Sequence, residues 1–164
     1  MYFDNFPKML YDFDINGQTE YKYVRDITHN VRVRKEVLAA VSLYDEYDIR
    51  DGETPEIIAE KVYGSPLYHW VVMLCNERYD HINDFPASQY ELEQHISSTY
   101  GVTGQYDTHH YINSAGQIVD SSFPGATSVS NYDYEMAENE KKRRIKLISP
   151  TLLSTIIKNF KDII

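Results

Sequence analysis

Residues 47–80, YDIRDGETPEIIAEKVYGSPLYHWVVMLCNERYD, read as the end of a strand, a tight turn and two capped helices with little slack between them. Tyr44 to Ile49 roughly alternates, with Tyr47 and Ile49 on one face and acidic residues on the other, the period of a half-buried strand. Asp51 and Gly52 break it as a turn. Thr54 is placed as an N-cap, Pro55 suits the first helical position and Glu56 favours the positive end of the helix dipole. Ile57, Ile58, Val62 and Tyr63 give an apolar stripe, and Gly64 can end the helix in a left-handed conformation. The cycle then repeats. Ser65 caps, Pro66 starts, Leu67, Trp70, Val71 and Leu74 form the inner face, and Asn76 closes.

The order strand, Gly52-Glu53-Thr54-Pro55, helix, Tyr63-Gly64, helix, Asn76 resembles the front of a lysin-motif (LysM) fold. The longer pattern, Tyr63-Gly64-Ser65-Pro66, Tyr68-His69-Trp70, Cys75-Asn76 and Tyr79-Asp80, resembles the wedge subunit of contractile-tail phage baseplates that carries a LysM-like domain. Glu138 to Ile148 adds a second match: an acidic-then-basic segment leading into a final helix. The chain departs from the usual LysM pattern twice. Glu77 stands where a proline commonly follows the asparagine, and no second strand is evident in ERYDHINDFP, residues 77–86.

The chain has 164 residues and a formal net charge of −9. That length suits one ordinary domain, or a small domain with long arms. The charge argues against an electrostatic nucleic-acid binder and against anionic membrane surfaces. No apolar run is long enough to span a bilayer, and the first residues lack the basic start and apolar core of a secretory signal. The one cysteine, Cys75, excludes an internal disulfide framework and reads as a small buried hydrophobe. Tyrosine is over-used, 15 against 6 phenylalanines. Tyrosine suits protein–protein contacts, and equally the rim of a small core.

Residues 1–43 read as an arm with short strands. Within residues 1–20, Tyr2, Phe3, Phe6, Tyr11 and Phe13 are apolar anchors without a helical or strand period, so this piece packs on a neighbour or across its own domain. Residues 21–34 are rich in strand formers, and residues 35–43 suit a short helix. Residues 44–104 form the LysM-like core and a following helix, which Ser88 and Glu91 open as a capping box and Gly101 ends. Residues 105–164 hold a hairpin at 106–120, a small polar and mobile loop at 121–130 and a C-terminal helix. Ser149 is placed as that helix's cap and Pro150 at its start. Leu152, Leu153, Ile156, Ile157, Phe160, Ile163 and Ile164 then form a broad apolar stripe. Each such side chain gains roughly 1.5–3 kcal/mol on full burial. The helix therefore closes its own domain or docks on another chain, and the resemblance favours docking. Within 138–144, Glu138–Lys142 and Glu140–Arg144 have favourable i,i+4 spacing, and outward arginines could instead meet an acidic partner.

No catalytic constellation stands out. The histidines lack helical ligand spacing, and His109-His110 on a regular strand would face opposite sides. The carboxylates of residues 45–60 single out no acid–base pair. The expectation is an α+β chain: a LysM-like strand–helix–helix core, extra strands, an N-terminal arm and a C-terminal amphipathic helix. It is not an enzyme and needs neither cofactor nor metal. The resemblance implies a structural subunit of the virion tail baseplate, assembled in the host cytoplasm, that bridges and locks neighbouring wedge proteins in a ring-shaped hetero-oligomer. Leu153, Ile156, Ile157, Phe160, Arg143 and Arg144 are the expected partner contacts. Tyr63, Gly64, Tyr68, Trp70, Asn76 and Tyr79 are the expected core module. The alternative is a LysM protein that binds peptidoglycan or N-acetylglucosamine through Gly52, Thr54 and Asn76.

Overall fold

The turn at Asp51-Gly52 and the caps at Thr54 and Gly64 all form in the computed structural model, which describes residues 2–28 and 44–163. The helix expected at 35–43, and the end of the strand region at 29–34, lie outside the described residues. The described residues fall into two units: 2–28, 44–47, 54–79 and 146–163 belong to the first, and 48–53 and 80–145 to the second.

In the first unit, strand β3 (Tyr44–Asp48) leads to helix α1 (Pro55–Tyr63). Thr54 accepts from the Ile57 backbone N–H, and Gly64 (φ 73°) donates its N–H to Glu60 O, ending the helix in the left-handed conformation that glycine adopts without penalty. Ser65 and Pro66 open a 3-10 turn, Pro66–Tyr68, before helix α2 (His69–Cys75). Ile58, Ala59, Trp70, Val71, Val72 and Cys75 are buried, whereas Ile57 and Leu67 face solvent. The strand missing after α2 comes from far downstream: β7 (Arg144–Ile148) pairs with β3 in a two-stranded sheet. Ile145 and Leu147 point inward and Arg144 and Lys146 outward, the period of a half-buried strand.

The same unit contains both ends of the described chain. At the front, β1 (Lys8–Ile15) and β2 (Gln18–Arg25) pair antiparallel over their full eight residues each. The stretch expected to lack a strand period, residues 1–20, instead carries β1, and the strand expected from residue 21 begins at Gln18. At the back, Pro150 opens a 3-10 turn, Pro150–Leu152, rather than the helix itself, and helix α5 follows (Leu153–Ile163). Ser149 gives no side-chain cap.

The second unit contains helix α3 (Gln89–Gly104), strands β4 (Thr108–Ile112), β5 (Ile118–Val119) and β6 (Thr127–Ser130), and helix α4 (Asn131–Lys141). The capping box of Ser88 and Glu91 forms at the start of α3. Gly101, at φ 73°, leaves the helical conformation inside the last turns. The strands form one sheet in the order β5-β4-β6. The stretch expected as a mobile loop therefore supplies a strand in its second half, because Thr127–Ser130 pairs with β4. Leu92 and Ile96 of α3, with Ile49, Phe85 and Ile145, are the buried apolar residues of this unit. Asn139 fixes its α4 register: its amide accepts from Ala87 N (2.8 Å) and donates to Ala87 O (3.1 Å).

Candidate functional site

The hairpin at the N-terminus begins as local chemistry. Asn16 (φ 55°) and Gly17 (φ 77°) form its two-residue turn, and both are left-handed, as the turn that matches strand twist requires. Asp14 Oδ1 accepts from Gly17 N at 3.0 Å. The root is held firmly. Arg25 donates from one guanidinium nitrogen to Asp4 O (2.6 Å) and Phe6 O (2.9 Å), and Asp26 N donates to Pro7 O (2.9 Å). Phe6 itself is only 2% exposed and lies 6.2 Å from the Phe160 ring, so it plugs the root into the core.

The blade beyond that root remains in solvent. The register places Leu10 opposite Tyr23, Asp12 opposite Tyr21 and Asp14 opposite Thr19, on one face. Met9, Tyr11 and Phe13, with Val24, Lys22 and Glu20, occupy the other. On that second face Tyr11 and Phe13 meet edge to face at 5.1 Å, and Lys22 pairs with Glu20 at 3.1 Å. The first face is barer: Leu10 is 54%, Tyr21 65% and Tyr23 76% exposed. These residues had no place in the sequence-based set of contacts. The Asn16-Gly17 pair between two eight-residue runs was the signal that could have found them.

The C-terminal helix shows the opposite arrangement. Phe160 is 3% exposed, with its ring 4.6 Å from that of Trp70. Leu152, Leu153, Ile156 and Ile157 are half-buried against the same cluster of Phe6, Trp70, Val71, Cys75 and Ile148. Among the described residues of the stripe Phe160 is innermost, while Leu152, Leu153, Ile156 and Ile157 keep part of their surface open. Burial pushes the Cys75 thiol up to about 12, so it is a neutral, unreactive group of the core.

The expected core module divides. Tyr63 donates its hydroxyl to Ile148 O (3.1 Å), and burial pushes its pKa up. Tyr68 is half-buried against the cluster, and Gly64 caps. Tyr79 is exposed. Asn76 does the most: its amide nitrogen donates to Val72 O and Lys146 O, both at 2.8 Å, and its oxygen accepts from Lys146 N at 2.8 Å. Its polar atoms are thereby committed to stitching α2 to β7. The missing second strand and the asparagine form a single arrangement. Of the positions proposed for sugar contact, Thr54 caps α1 and Gly52 turns at φ 73°.

Arg143 and Arg144 are engaged inside the second unit. Arg143 donates to Ile49 O (2.7 Å) and pairs with Glu140 (2.8 Å). Arg144 makes a two-pronged contact with Asp48 (2.9 and 3.1 Å), which holds the Asp48 carboxyl below its ordinary range. The expected i,i+4 pairs are replaced because α4 ends at Lys141. Glu138 pairs with Lys141 and Glu140 with Arg143, both at i,i+3, while Arg144 already belongs to a strand. The two adjacent histidines also differ from expectation. A register irregularity between Thr108 and His110 brings both imidazoles together, with Nδ1 atoms 2.8 Å apart and His109 stacked on Tyr134 at 3.9 Å. Among the described residues, no group of three or more His, Cys, Asp or Glu side chains could hold a metal ion.

Two comparisons with known proteins bear on this arrangement. A family model described as base plate wedge protein 53 matches residues 1–122. A baseplate wedge protein, gp53 of Enterobacteria phage T4, is 25% identical over 146 residues, covering 75% of this chain and 74% of that relative. The family match includes the hairpin, α1, α2 and α3.

Proposed function

The chain belongs to the base plate wedge protein 53 family, a structural component of the contractile phage tail baseplate in the virion, and on that premise we propose that it bridges and locks neighbouring wedge subunits. It acts by docking, without turnover. Its partners are other wedge proteins, and together they form a closed hetero-oligomeric ring.

The observation that carries this reading is the hairpin: its root is pinned in the core by Phe6 and Arg25 while the blade leaves Leu10, Tyr11, Tyr21 and Tyr23 in water. A bridge needs both properties. A firm root transmits position, and an uncovered apolar surface gains free energy only when another molecule covers it. A lone two-stranded hairpin is at best marginal in water, so a blade of this length is stabilised by its root and by whatever it meets. The strand–helix–helix–strand core, LysM-like in this reading, serves as the rigid mount.

The experiment is reconstitution. The other wedge proteins of the same phage are co-expressed with and without this chain and imaged after size-exclusion chromatography. Closed rings should form only when the chain is present. Rings that close at normal yield without it would contradict the bridging role.

A further inference from the structure

We infer that the face of the hairpin formed by Leu10, Tyr21 and Tyr23 docks into an apolar groove of a wedge protein that presents lysine or arginine where Asp12 and Asp14 arrive; this rests on the wedge-docking reading above. The two faces of the hairpin differ. The Met9–Tyr11–Phe13 face covers part of itself, through the Tyr11–Phe13 ring contact, and balances its charge through Lys22 and Glu20. On the other face no ring contact or ion pair forms among the described residues, and its bases lie at the root, away from Asp12 and Asp14. Its three large side chains are each more than half exposed. Tyrosine there is telling: the ring supplies apolar area and the hydroxyl tolerates water until it is covered, the behaviour of interface anchors.

Charge then selects the partner. On this face Asp12 and Asp14 flank Tyr21 towards the turn, and Lys8 and Arg25 lie at the root. Arg25 is already held by Asp4 O and Phe6 O. Among the described residues neither Asp12 nor Asp14 makes an ion pair, and Asp14 only accepts from Gly17 N. The distal half of the face is therefore acidic beside an aromatic patch, on a chain whose formal charge is −9. A groove with an acidic rim would be repelled; one with a basic rim is attracted and aligned. The same surplus of negative charge disfavours a second copy of this chain as the occupant.

The test uses the full chain and the co-expressed remaining wedge proteins as the probe, with binding read by biolayer interferometry over a range of salt. Tyr21→Ser with Tyr23→Ser should weaken binding by about a hundredfold, as loss of two anchor residues does. Asp12→Lys should weaken it by about tenfold and flatten its salt dependence. Met9→Ser, on the opposite face, should bind as the wild type does. Hydrogen exchange of each free variant checks that the hairpin still forms. Equal losses from both faces, or tighter binding by Asp12→Lys, would overturn the inference. So would a dimer of the chain alone that the tyrosine substitutions dissolve. If every variant binds like the wild type, this face is not the contact and wedge docking stands. If the wild type itself fails to bind, the wedge reading fails and the inference with it.

Discussion

The two ends of the described chain are both rich in apolar side chains, and they dispose of them in opposite ways. Helix α5 turns Phe160 onto Trp70 and Phe6 and half-covers Leu153, Ile156 and Ile157. The β1–β2 hairpin uses Phe6 at its root for the same core but leaves Leu10, Tyr21 and Tyr23 in water. An apolar stripe thus announces that a surface needs cover, not which chain supplies it. The helix has a period of 3.6 and one face to satisfy, so a single core can satisfy it. A two-stranded blade has two faces, and here the core holds only its root.

The sharpest way to break this contrast is Phe160→Ala. If the helix closes its own core, the substitution should cost about 3–5 kcal/mol, read from denaturant unfolding. It should also open Cys75, which shares that cluster, to alkylation under native conditions; in the wild type the thiol, with its pKa near 12, should react only on unfolding. Tyr23→Ser should change stability by no more than about 0.5 kcal/mol, as exposed substitutions usually do. A stable Phe160→Ala protein would mean that the helix does not belong to this core.

Asn76→Ala comes next. It would leave Lys146 N, Lys146 O and Val72 O without their present partner, at a cost of about 2 kcal/mol. The loss should appear as faster exchange in β7, with the hairpin unchanged. A blade that frays together with β7 would show that the two regions are less independent than the contrast requires.

The smallest effect concerns Asp48. Arg144 holds its carboxyl below the ordinary range in the folded chain. The stabilisation is therefore present above the ordinary carboxylate pKa and is lost as pH falls through the depressed value. Replacing Arg144 with Gln should remove that acid-side dependence and little else, because both side chains are largely exposed. Unfolding curves of the two proteins should differ near neutral pH by a small amount and converge in acid.

Much of the core was legible because its signals are local. Thr54, Pro55, Gly64 and the Ser88–Glu91 box act within one turn of themselves, and each formed as read, whereas Pro66 and Pro150 started 3-10 turns before their helices. The second strand of the core was not legible. Residues 76–143 intervene between α2 and β7, and the charges of RIKLI masked an alternation in which Ile145 and Leu147 are buried members. The exposed face of the hairpin was missed for a related reason. A hairpin with large apolar side chains exposed on both faces shows no single apolar period to detect, so only the Asn16-Gly17 turn marked it. The histidine pair eluded the strand rule because the strand register shifts between Thr108 and His110.

The most direct test of the central claim is hydrogen–deuterium exchange of the full chain, free and assembled with the other wedge proteins. Residues 8–25 should become strongly protected on assembly, while residues 153–163 keep the protection they already have in the free chain. Protection that appears on α5 and leaves the hairpin unchanged would contradict the account.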